Sequence, residues 1–149
     1  MGEKIKMEGP KGLLFYEGHG NFLLRRKPIV KRKIGLIAGG TGITPCFQIV
    51  QASTFGQDGI PIVLLYSNKT KDDILLKDEL DSLVRSNPDN LKLYHTLTRE
   101  ELKDGDFTYL HGRITEDMIS KCGFPEPSPD TLIGYCGPAP FNKCVEDIL

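Results

Sequence analysis

The strongest structural signal in this sequence is the stretch Ile34-Gly35-Leu36-Ile37-Ala38-Gly39-Gly40-Thr41-Gly42-Ile43-Thr44-Pro45. Its order predicts a buried strand, then a tight glycine loop, then a helix. Glycines accept positive φ and carry no Cβ, so the loop can turn its N–H groups toward an anion. We expect Thr44 to cap the helix and Pro45 to lie in its first turn, where a missing N–H has no cost. The stretch therefore predicts an anion-binding turn.

Length, composition and charge limit the number of domains and the classes of ligand that the chain can have. With 149 residues, the chain is long enough for one domain with a core but not for two full domains. A net charge of −1 argues against a nucleic-acid-binding protein. No signal-peptide pattern and no run of about 20 apolar residues is visible in this sequence, so we predict no membrane segment within it. Small ligands and protein partners are the favoured classes.

The cysteines and histidines do not form a ligand pattern. The four cysteines are Cys46, Cys122, Cys136 and Cys144, and the three histidines are His19, His95 and His111. No Cys-x-x-Cys pair is present, which argues against a zinc site or a disulfide framework. The histidines share no spacing typical of a metal site. We predict no bound metal and a reducing, cytoplasmic compartment.

From residue 34 onward, strand and helix patterns alternate. Apolar or alternating runs predict strands at 34–38, 60–66, 91–97 and 131–136. Helices are predicted at 45–55, after a capping box formed by Thr70 and Asp73, at 115–121 and from 139 onward. This alternation predicts an α/β fold with a doubly wound, mostly parallel sheet, in which ligands bind beyond the carboxyl ends of the strands. The glycine-rich exits after Ala38 and Cys136 should both lie on that edge.

The residues before this stretch carry a different pattern. A strand and a turn are predicted over 2–14, and a second short strand over 20–24. Six of the nine residues from 25 to 33 are basic, and Pro28 interrupts them. We interpret this run as a solvated linker between two domains. The alternative is a docking surface for an acidic partner or a phosphate surface.

The glycine loop alone is a weak functional signal. Pro45 stands where a dinucleotide fingerprint would have its third glycine, and the loop lacks the Gly-Lys-Ser/Thr ending of a phosphoryl-transfer loop. A second motif, Cys136-Gly137-Pro138-Ala139-Pro140, follows the last strand. With residues 68–76 and 78–80, the two motifs resemble the pyridine-nucleotide half of the ferredoxin-reductase superfamily, in particular NADH-cytochrome b5 reductases and the related nitrate reductase domain. Residues 9–22 are similar to the end of the flavin domain, so a short β remnant of the FAD-binding barrel is expected there.

The resemblance implies a role for each residue of the two motifs. The loop would hold the nucleotide pyrophosphate and bring the nicotinamide to the flavin, and its residues are Gly39, Gly40, Thr41, Gly42, Ile43, Thr44 and Pro45. Thr41 would lie near the flavin itself, while Cys136, Gly137 and Pro138 would border the nicotinamide. Cys136 and Thr41 are thus the expected catalytic positions, with the thiol orienting the nicotinamide rather than acting as a nucleophile. From the residues alone, Cys136 is interpreted as a buried cysteine at a strand end.

At the adenosine end of the site, the sequence leaves open whether NADH or NADPH binds. The b5 reductases usually carry an acidic residue after the third strand that accepts the ribose hydroxyls, but this chain has Thr98 and Arg99 there. Thr98, Arg99 and Tyr109 are instead similar to the Ser-Arg and Tyr that bind the 2′-phosphate of NADPH in plant-type ferredoxin reductases. The alternative is an exposed loop in which Arg99 pairs with Glu100 or Glu101.

The resemblance also implies that the chain is a fragment of a two-domain flavoprotein. The Arg-x-Tyr-Ser/Thr and Gly-Gly-x-x-Ser/Thr motifs of the FAD-binding barrel are missing. Residues 1–29 are therefore expected to be its last strands, and 30–149 the NAD(P)H-binding domain without its C-terminal tail. The parent would pass hydride from NAD(P)H to FAD and then electrons to cytochrome b5 or a similar haem protein. The isolated chain should bind a nucleotide weakly and be inactive.

The resemblance also implies a location for the protein, and two other functions remain open. The protein would be cytoplasmic, or lie on the cytosolic face of a membrane through a region outside this chain. Another superfamily member, of the nitrate reductase, oxygenase or ferredoxin type, would share the nucleotide domain and differ in its electron acceptor. A non-catalytic nucleotide-binding docking module is the second alternative, and only the basic run from Arg25 to Lys33 supports it.

Overall fold

A computed structural model of the protein describes residues 12–100 and 108–149. Its strands are β1 (Leu14–Gly18), β2 (Asn21–Leu24), β3 (Lys27–Val30), β4 (Lys33–Gly39), β5 (Ile62–Asn68), β6 (Leu91–Leu97), β7 (Leu110–His111) and β8 (Thr131–Cys136). Its helices are α1 (Ile43–Phe55), α2 (Lys77–Ser86), α3 (Glu116–Lys121) and α4 (Ala139–Glu146), and short 3₁₀ turns cover Gly40–Gly42 and Lys71–Asp73. Residues 2–11 of the strand and turn predicted over 2–14 lie outside the described residues.

The larger sheet is buried on both faces. Within the described ranges its five strands are all parallel and have the order β7-β6-β5-β4-β8. Alternate residues of β4 enter opposite cores: Leu36 joins a cluster with residues of α1 and α2, whereas Ile37 joins one with α3 and α4. Leu64 and Leu65 of β5 divide in the same way. This division explains the continuous apolar runs, and the predicted doubly wound α/β fold is confirmed.

The helix after the glycine loop starts earlier than predicted. α1 begins at Ile43, and its N-cap is Gly42, which has helical dihedral angles (φ −64°, ψ −4°). The chain thus winds from the 3₁₀ turn directly into the α-helix, and the prediction that Thr44 caps the helix is wrong. Thr44 lies inside the first turn, where its hydroxyl donates to the carbonyl oxygen of Thr41 (3.2 Å). Pro45 lies in the same turn, as predicted.

The next strand and helix also have boundaries that differ from the predicted ones. β5 extends to Asn68, which places this side chain at the carboxyl edge of the sheet. The capping box of Thr70 and Asp73 is confirmed, but it opens the 3₁₀ turn rather than the helix. α2 begins only at Lys77, after Leu76 in a left-handed conformation (φ +56°). The loop after β5 is therefore longer than predicted, and it contributes to the site below.

The basic run that begins at Arg25 is not a linker. β1, β2 and β3 form an antiparallel three-stranded sheet, in which Leu23 pairs with Pro28. Arg25 and Arg26 form the two-residue turn with positive φ at both positions (50° and 67°), the type I′ geometry of tight hairpins. Pro28 is compatible with β3 because that strand lies at the edge of its sheet. The linker prediction is therefore wrong.

The small sheet packs on the same side of the large sheet as α1. Phe22 of β2 is fully buried in the cluster that contains Val50 of α1. The Tyr16 hydroxyl donates to the buried Asp58 carboxylate, and Nδ1 of the exposed His19 lies 3.1 Å from Asp58 Oδ1. Apolar packing and one buried carboxylate therefore tie the small sheet to α1 and to the loop that follows it.

Candidate functional site

The glycine loop lies where the order of the strands reverses. From β4 the chain passes through α1 to β5 on one side, and β8 pairs with β4 on the other side. The turn Gly40–Gly42 follows the carboxyl end of β4. Cys136 ends β8 directly beside Ala38. Such a switch point is where open α/β sheets bind their ligands.

The two predicted motifs contact each other through their backbones. A Cβ placed on Gly42 would lie 2.1 Å from the carbonyl oxygen of Cys136 and 2.7 Å from the amide nitrogen of Gly137. Because the φ of Gly42 is an ordinary −64°, glycine is required here only by this close approach. A Cβ on Gly39 or Gly137 would instead meet the ring of Phe141, at 2.9 and 2.4 Å. α4 therefore holds both loops through one aromatic ring.

Two buried side chains of β5, Tyr66 and Asn68, lie at the carboxyl edge of the sheet, and Tyr66 contacts the glycine loop. The buried Tyr66 hydroxyl donates to the carbonyl oxygen of Gly40 (3.0 Å). Burial raises the pKa of this hydroxyl, a rise that the neighbouring Asn68 side chain partly opposes. Asn68 is only 6% exposed, and neither its Oδ1 nor its Nδ2 has a partner at hydrogen-bond geometry. An unsatisfied buried amide is costly, so Asn68 is a strong candidate for a ligand contact.

A cleft of about 770 Å³ opens at this edge of the sheet, a size typical of cofactor sites. The predicted residues that line it are Gly39, Gly40, Thr41, Thr98, Arg99 and Pro138. The predicted residues that do not line it are Gly42, Ile43, Thr44, Pro45, Tyr109, Cys136 and Gly137. Gly42 and Ile43 are buried where α1 starts, and Cys136 is half-buried behind the loop. The structure thus brings the glycine loop and the end of β6 together in one cleft.

Tyr109 does not line this cleft and belongs to a row of aromatic rings. Its ring centroid is 6.0 Å from that of His95, which in turn is 5.7 Å from that of Tyr66. The Lys71 ammonium lies 5.0 Å from the Tyr109 centroid, within cation–π range. Of the three residues predicted to bind the adenosine end, Thr98 and Arg99 line the cleft and Tyr109 does not.

The alternative for Arg99, an ion pair with a neighbouring glutamate, is not found in the part of the chain that the structure describes. The Glu100 carboxylate accepts from the backbone N–H of Lys71 (2.8 Å). Glu101 lies outside the described ranges. The backbone N–H of Arg99 donates to the carbonyl oxygen of Lys69 (2.9 Å), which fixes the segment beside the cleft.

Sequence reasoning missed several residues of the cleft, among them Asn68, Lys69, Arg113 and Phe141. Asn68 and Lys69 follow an apolar strand at its carboxyl end, so the general rule for α/β sheets could have found them. Arg113 gave no signal, because its place depends on the pairing of β7 with β6. Phe141 was predicted only as an apolar residue of the last helix.

Two of the four free cysteines have surroundings that keep the thiol protonated. Burial raises the pKa of Cys46 to about 12, and the nearby Cys136 adds to the rise. Burial raises the pKa of Cys122 to about 11. Cys136 and Cys144 are half-buried, and Cys144 lines the cleft. Nucleophilic chemistry at Cys46 and Cys122 is therefore disfavoured.

Residues 12–100 and 108–149 contain neither a metal-ligand cluster nor a membrane-spanning helix. These residues contain no cluster of three or more His, Cys, Asp or Glu side chains that could hold a metal ion. The helices formed by these residues include none that is long and apolar enough to cross a bilayer.

Because of His95, we expect the protein to lose stability at pH values below about 6.5. Burial lowers the pKa of His95, Asp81 partly opposes this, and Lys77 adds to it. The unfolded chain, with a histidine pKa near 6.5, then binds more protons than the folded chain, so stability is lost as the pH falls through that value. Urea unfolding at pH 7.5, 6.5 and 5.5 would measure the loss, which is at most about 1.4 kcal/mol per pH unit.

The His95 variant and its control separate this histidine from other titrating groups. In His95→Leu the dependence on pH should be weaker than in the wild type. His111→Leu removes an exposed histidine and should keep the wild-type dependence. Equal pH dependence in the wild type and in His95→Leu would contradict the prediction.

The sheet order, the glycine turn at the switch point and the adjoining cleft together define an α/β nucleotide-binding domain. A family model described as "Oxidoreductase NAD-binding domain" matches residues 36–147. Because the match covers most of the chain, the chain belongs to that family.

Curated relatives and solved structures agree with the predicted resemblance. The chain is 40% identical over 148 residues to NADH-cytochrome b5 reductase 2 of Xenopus laevis, covering 95% of this chain and 49% of the relative. It is 40% identical over 142 residues to nitrate reductase (NADH) 2 of Nicotiana tabacum, covering 95% of this chain and 15% of that protein. The cytochrome b5 reductase domain of Ulva prolifera nitrate reductase superposes with a TM-score of 0.83 at 35% identity, covering 91% of this chain and 51% of that chain. The chain thus spans about half the length of the b5 reductase it matches.

Proposed function

We propose that this chain is the pyridine-nucleotide-binding part of a flavoprotein reductase. The whole protein would pass hydride from NAD(P)H to FAD and then electrons to cytochrome b5 or a similar acceptor. The observation that carries the proposal is the cleft at the switch point, where the glycine loop meets the backbone of Cys136 and Gly137. The names of the relatives support it, since they are an NADH-cytochrome b5 reductase and an NADH nitrate reductase.

The residues of the cleft fit a dinucleotide. Gly40 has φ +52°, and a Cβ placed on it would have no atom within 4 Å, so a phosphate can approach the backbone there. Asn68 is buried, and among the described residues neither its amide donor nor its acceptor has a partner at full hydrogen-bond geometry. Pro138 and Thr41 line the part of the cleft nearest β8 and β4. Both the polar contacts and the open backbone of a nucleotide site are therefore present.

Each residue would bind or orient the bound groups, because the nicotinamide and the flavin supply the redox chemistry. The N–H groups of the turn Gly40–Gly42 would hold the pyrophosphate. Cys136 and Pro138 would border the nicotinamide, and the exposed Thr41 would contact the flavin. The rigid backbone contact between Gly42 and Cys136 would fix the distance between these two walls, which is the main contribution a protein makes to such a transfer.

FAD and the acceptor belong to the proposal for the whole protein. The two FAD-binding motifs of the superfamily do not occur in the sequence, so we expect the chain alone to bind a nucleotide without turnover. Its four cysteines are free, which suits the reducing, cytoplasmic compartment that we propose. The boundary between flavin and nucleotide segments near residue 29 stays a prediction.

Titration of the isotope-labelled chain with NAD⁺ and NADP⁺, followed by NMR, tests the proposal. At least one of the two nucleotides should shift the amide signals of Gly40, Thr41 and Cys136. Asn68→Ala should weaken binding by about two- to tenfold, because a hydrogen bond contributes about 0.5–1.5 kcal/mol.

Asn90→Ala is the matched control, because Asn90 precedes β6 at the opposite edge of the sheet. Its affinity should equal that of the wild type. If neither nucleotide shifted any of the three signals, the proposal would fail. Stable, stoichiometric FAD on this chain would contradict the expectation that it lacks a flavin site of its own.

A further inference from the structure

One buried hydroxyl group, that of Tyr66, contacts the glycine loop from inside the core. Tyr66 is a fully buried residue of β5 that packs in the same apolar cluster as Ala38 and Ile43, on either side of the loop. Its hydroxyl donates to the carbonyl oxygen of Gly40 (3.0 Å). A plain aromatic ring would fill this part of the core without adding a polar atom, which is costly to bury. The hydroxyl, rather than the ring, is therefore the feature that needs a reason.

The contact with Tyr66 orients the peptide that joins Gly40 to Thr41. In a trans peptide the C=O and the N–H point in opposite directions. Because the Gly40 carbonyl oxygen is directed at the buried hydroxyl, the N–H of Thr41 is directed to the opposite side, away from the core. Thr41 is exposed and lines the cleft. The hydroxyl of Tyr66 thus turns one backbone donor toward the space that a ligand would occupy.

This peptide has little else to hold it in place. Gly40 has φ +52°, and a Cβ placed on it would have no atom within 4 Å, so side-chain packing does not restrict its rotation. The N–H of Ile43 donates to the same carbonyl oxygen and closes the 3₁₀ turn. Hydrogen bonds of 3₁₀ turns have poorer geometry than those of α-helices. Tyr66 therefore supplies a second restraint where the backbone is otherwise free to turn.

Tyr66 also lies close to two other segments that line the cleft. Burial raises the pKa of its hydroxyl, while the Asn68 side chain and the backbone N–H of Leu75 partly oppose the rise. Asn68 and Leu75 both line the cleft, at the end of β5 and in the loop before α2. Because burial has the largest effect, the hydroxyl stays protonated at neutral pH and remains a donor to Gly40. Tyr66 itself is not among the lining residues, so any influence on a ligand passes through these neighbours.

We propose that Tyr66 is a positioning residue for the pyrophosphate of the bound dinucleotide, and that it acts through the Gly40–Thr41 peptide without contacting the ligand. This inference rests on the proposed function and adds to it a residue outside the cleft lining. Without the hydroxyl, the Gly40 carbonyl would lose its side-chain partner, and the peptide would sample other orientations. The N–H of Thr41 would then have to be ordered when the nucleotide binds, which lowers the affinity.

Tyr66→Phe tests the proposal, because it removes one oxygen atom and leaves the ring in the core. Calorimetric titration should show about two- to tenfold weaker binding of NAD⁺ or NADP⁺, whichever binds the wild type, as expected for one lost hydrogen bond. In the ligand-free variant, the ¹³C signal of the Gly40 carbonyl and the amide signal of Thr41 should both move in NMR spectra. Inorganic pyrophosphate should then shift the Thr41 amide signal less than it does in the wild type.

Tyr94→Phe is the matched control. It removes the same atom from a residue of β6 that packs against the cluster on the other face of the sheet and does not line the cleft. Its nucleotide affinity and the signals of Gly40 and Thr41 should be those of the wild type. Thermal melts should show that both variants are folded.

A double-mutant cycle with Asn68→Ala separates the glycine loop from the end of β5. If Tyr66 acts through the loop, Tyr66→Phe should still weaken binding in the Asn68→Ala background. No further loss there would mean that Tyr66 acts by holding Asn68, which would overturn the assignment to the loop.

Two other results decide the inference. Wild-type affinity in Tyr66→Phe, or weaker binding with the Gly40 and Thr41 signals unchanged, would overturn it and leave the proposed function standing. Failure of the wild type to bind either nucleotide would overturn both.

Discussion

Gly42→Ala is expected to remove nucleotide binding and to destabilise the protein by about 1–3 kcal/mol. The added Cβ would lie 2.1 Å from the carbonyl oxygen and 2.4 Å from the carbonyl carbon of Cys136. Both are backbone atoms, so no side-chain rotation can relieve the overlap. The glycine loop and the exit of β8 would have to separate. Because these two segments form the walls of the proposed nicotinamide site, even a small separation would misplace both.

The effect comes from the close approach and not from backbone strain. Gly42 has φ −64°, which alanine adopts readily. Gly123→Ala is the matched control: its φ is +69°, and a Cβ there would have no atom within 4 Å. That variant should lose about 1–2 kcal/mol through left-handed strain alone and should keep nucleotide binding.

Urea unfolding and NMR titration with NAD⁺ and NADP⁺ measure the two consequences separately. The expected pattern is a comparable loss of stability in both variants and a loss of binding in Gly42→Ala only. Unchanged nucleotide affinity in Gly42→Ala would show that the contact between the two motifs does not shape the site.

This contact also illustrates what the sequence was able to predict. The apolar runs before Gly39 and Cys136 indicated two buried parallel strands, and the switch-point rule then placed both exits on one edge. The structure confirms that arrangement, with Ala38 beside Cys136. Strand patterns are strong signals because burial on both faces leaves a continuous apolar run.

Three features could not be predicted from the residue types. Arg25 and Arg26 form a type I′ turn without the glycine or asparagine that usually marks one. The run was therefore not recognised as a hairpin, and Pro28 within it suggested a linker. Arg113 reaches the cleft only because β7 pairs with β6 for two residues. Thr44 matches the chemistry of a helix cap, but the helix begins in the 3₁₀ turn before it. Only the Arg113 case depends on a contact distant in sequence; the turn and the helix start are local geometries that the residue types did not indicate.

Phe22→Ala is expected to lower the free energy of unfolding by about 3–5 kcal/mol. Phe22 is 0% exposed, and its ring centroid lies 4.7 Å from that of Tyr16. It belongs to the small sheet, but the cluster around it includes Ile34 of β4 and Val50 of α1. The cavity left by alanine would therefore open between the small sheet and the nucleotide-binding sheet, and neither can close it by moving alone.

Urea unfolding followed by both circular dichroism and tyrosine fluorescence would measure the loss and its cooperativity. Phe55→Ala is the control, because Phe55 is 72% exposed and its removal should change stability by no more than about 0.5 kcal/mol. A single transition that shifts as a whole in Phe22→Ala would mean that β1 to β3 and the parallel sheet unfold together. The segment predicted to derive from the flavin domain would then be part of one folding unit with the nucleotide site. A small loss, or two separate transitions, would instead mean that the nucleotide-binding sheet is stable without the small sheet.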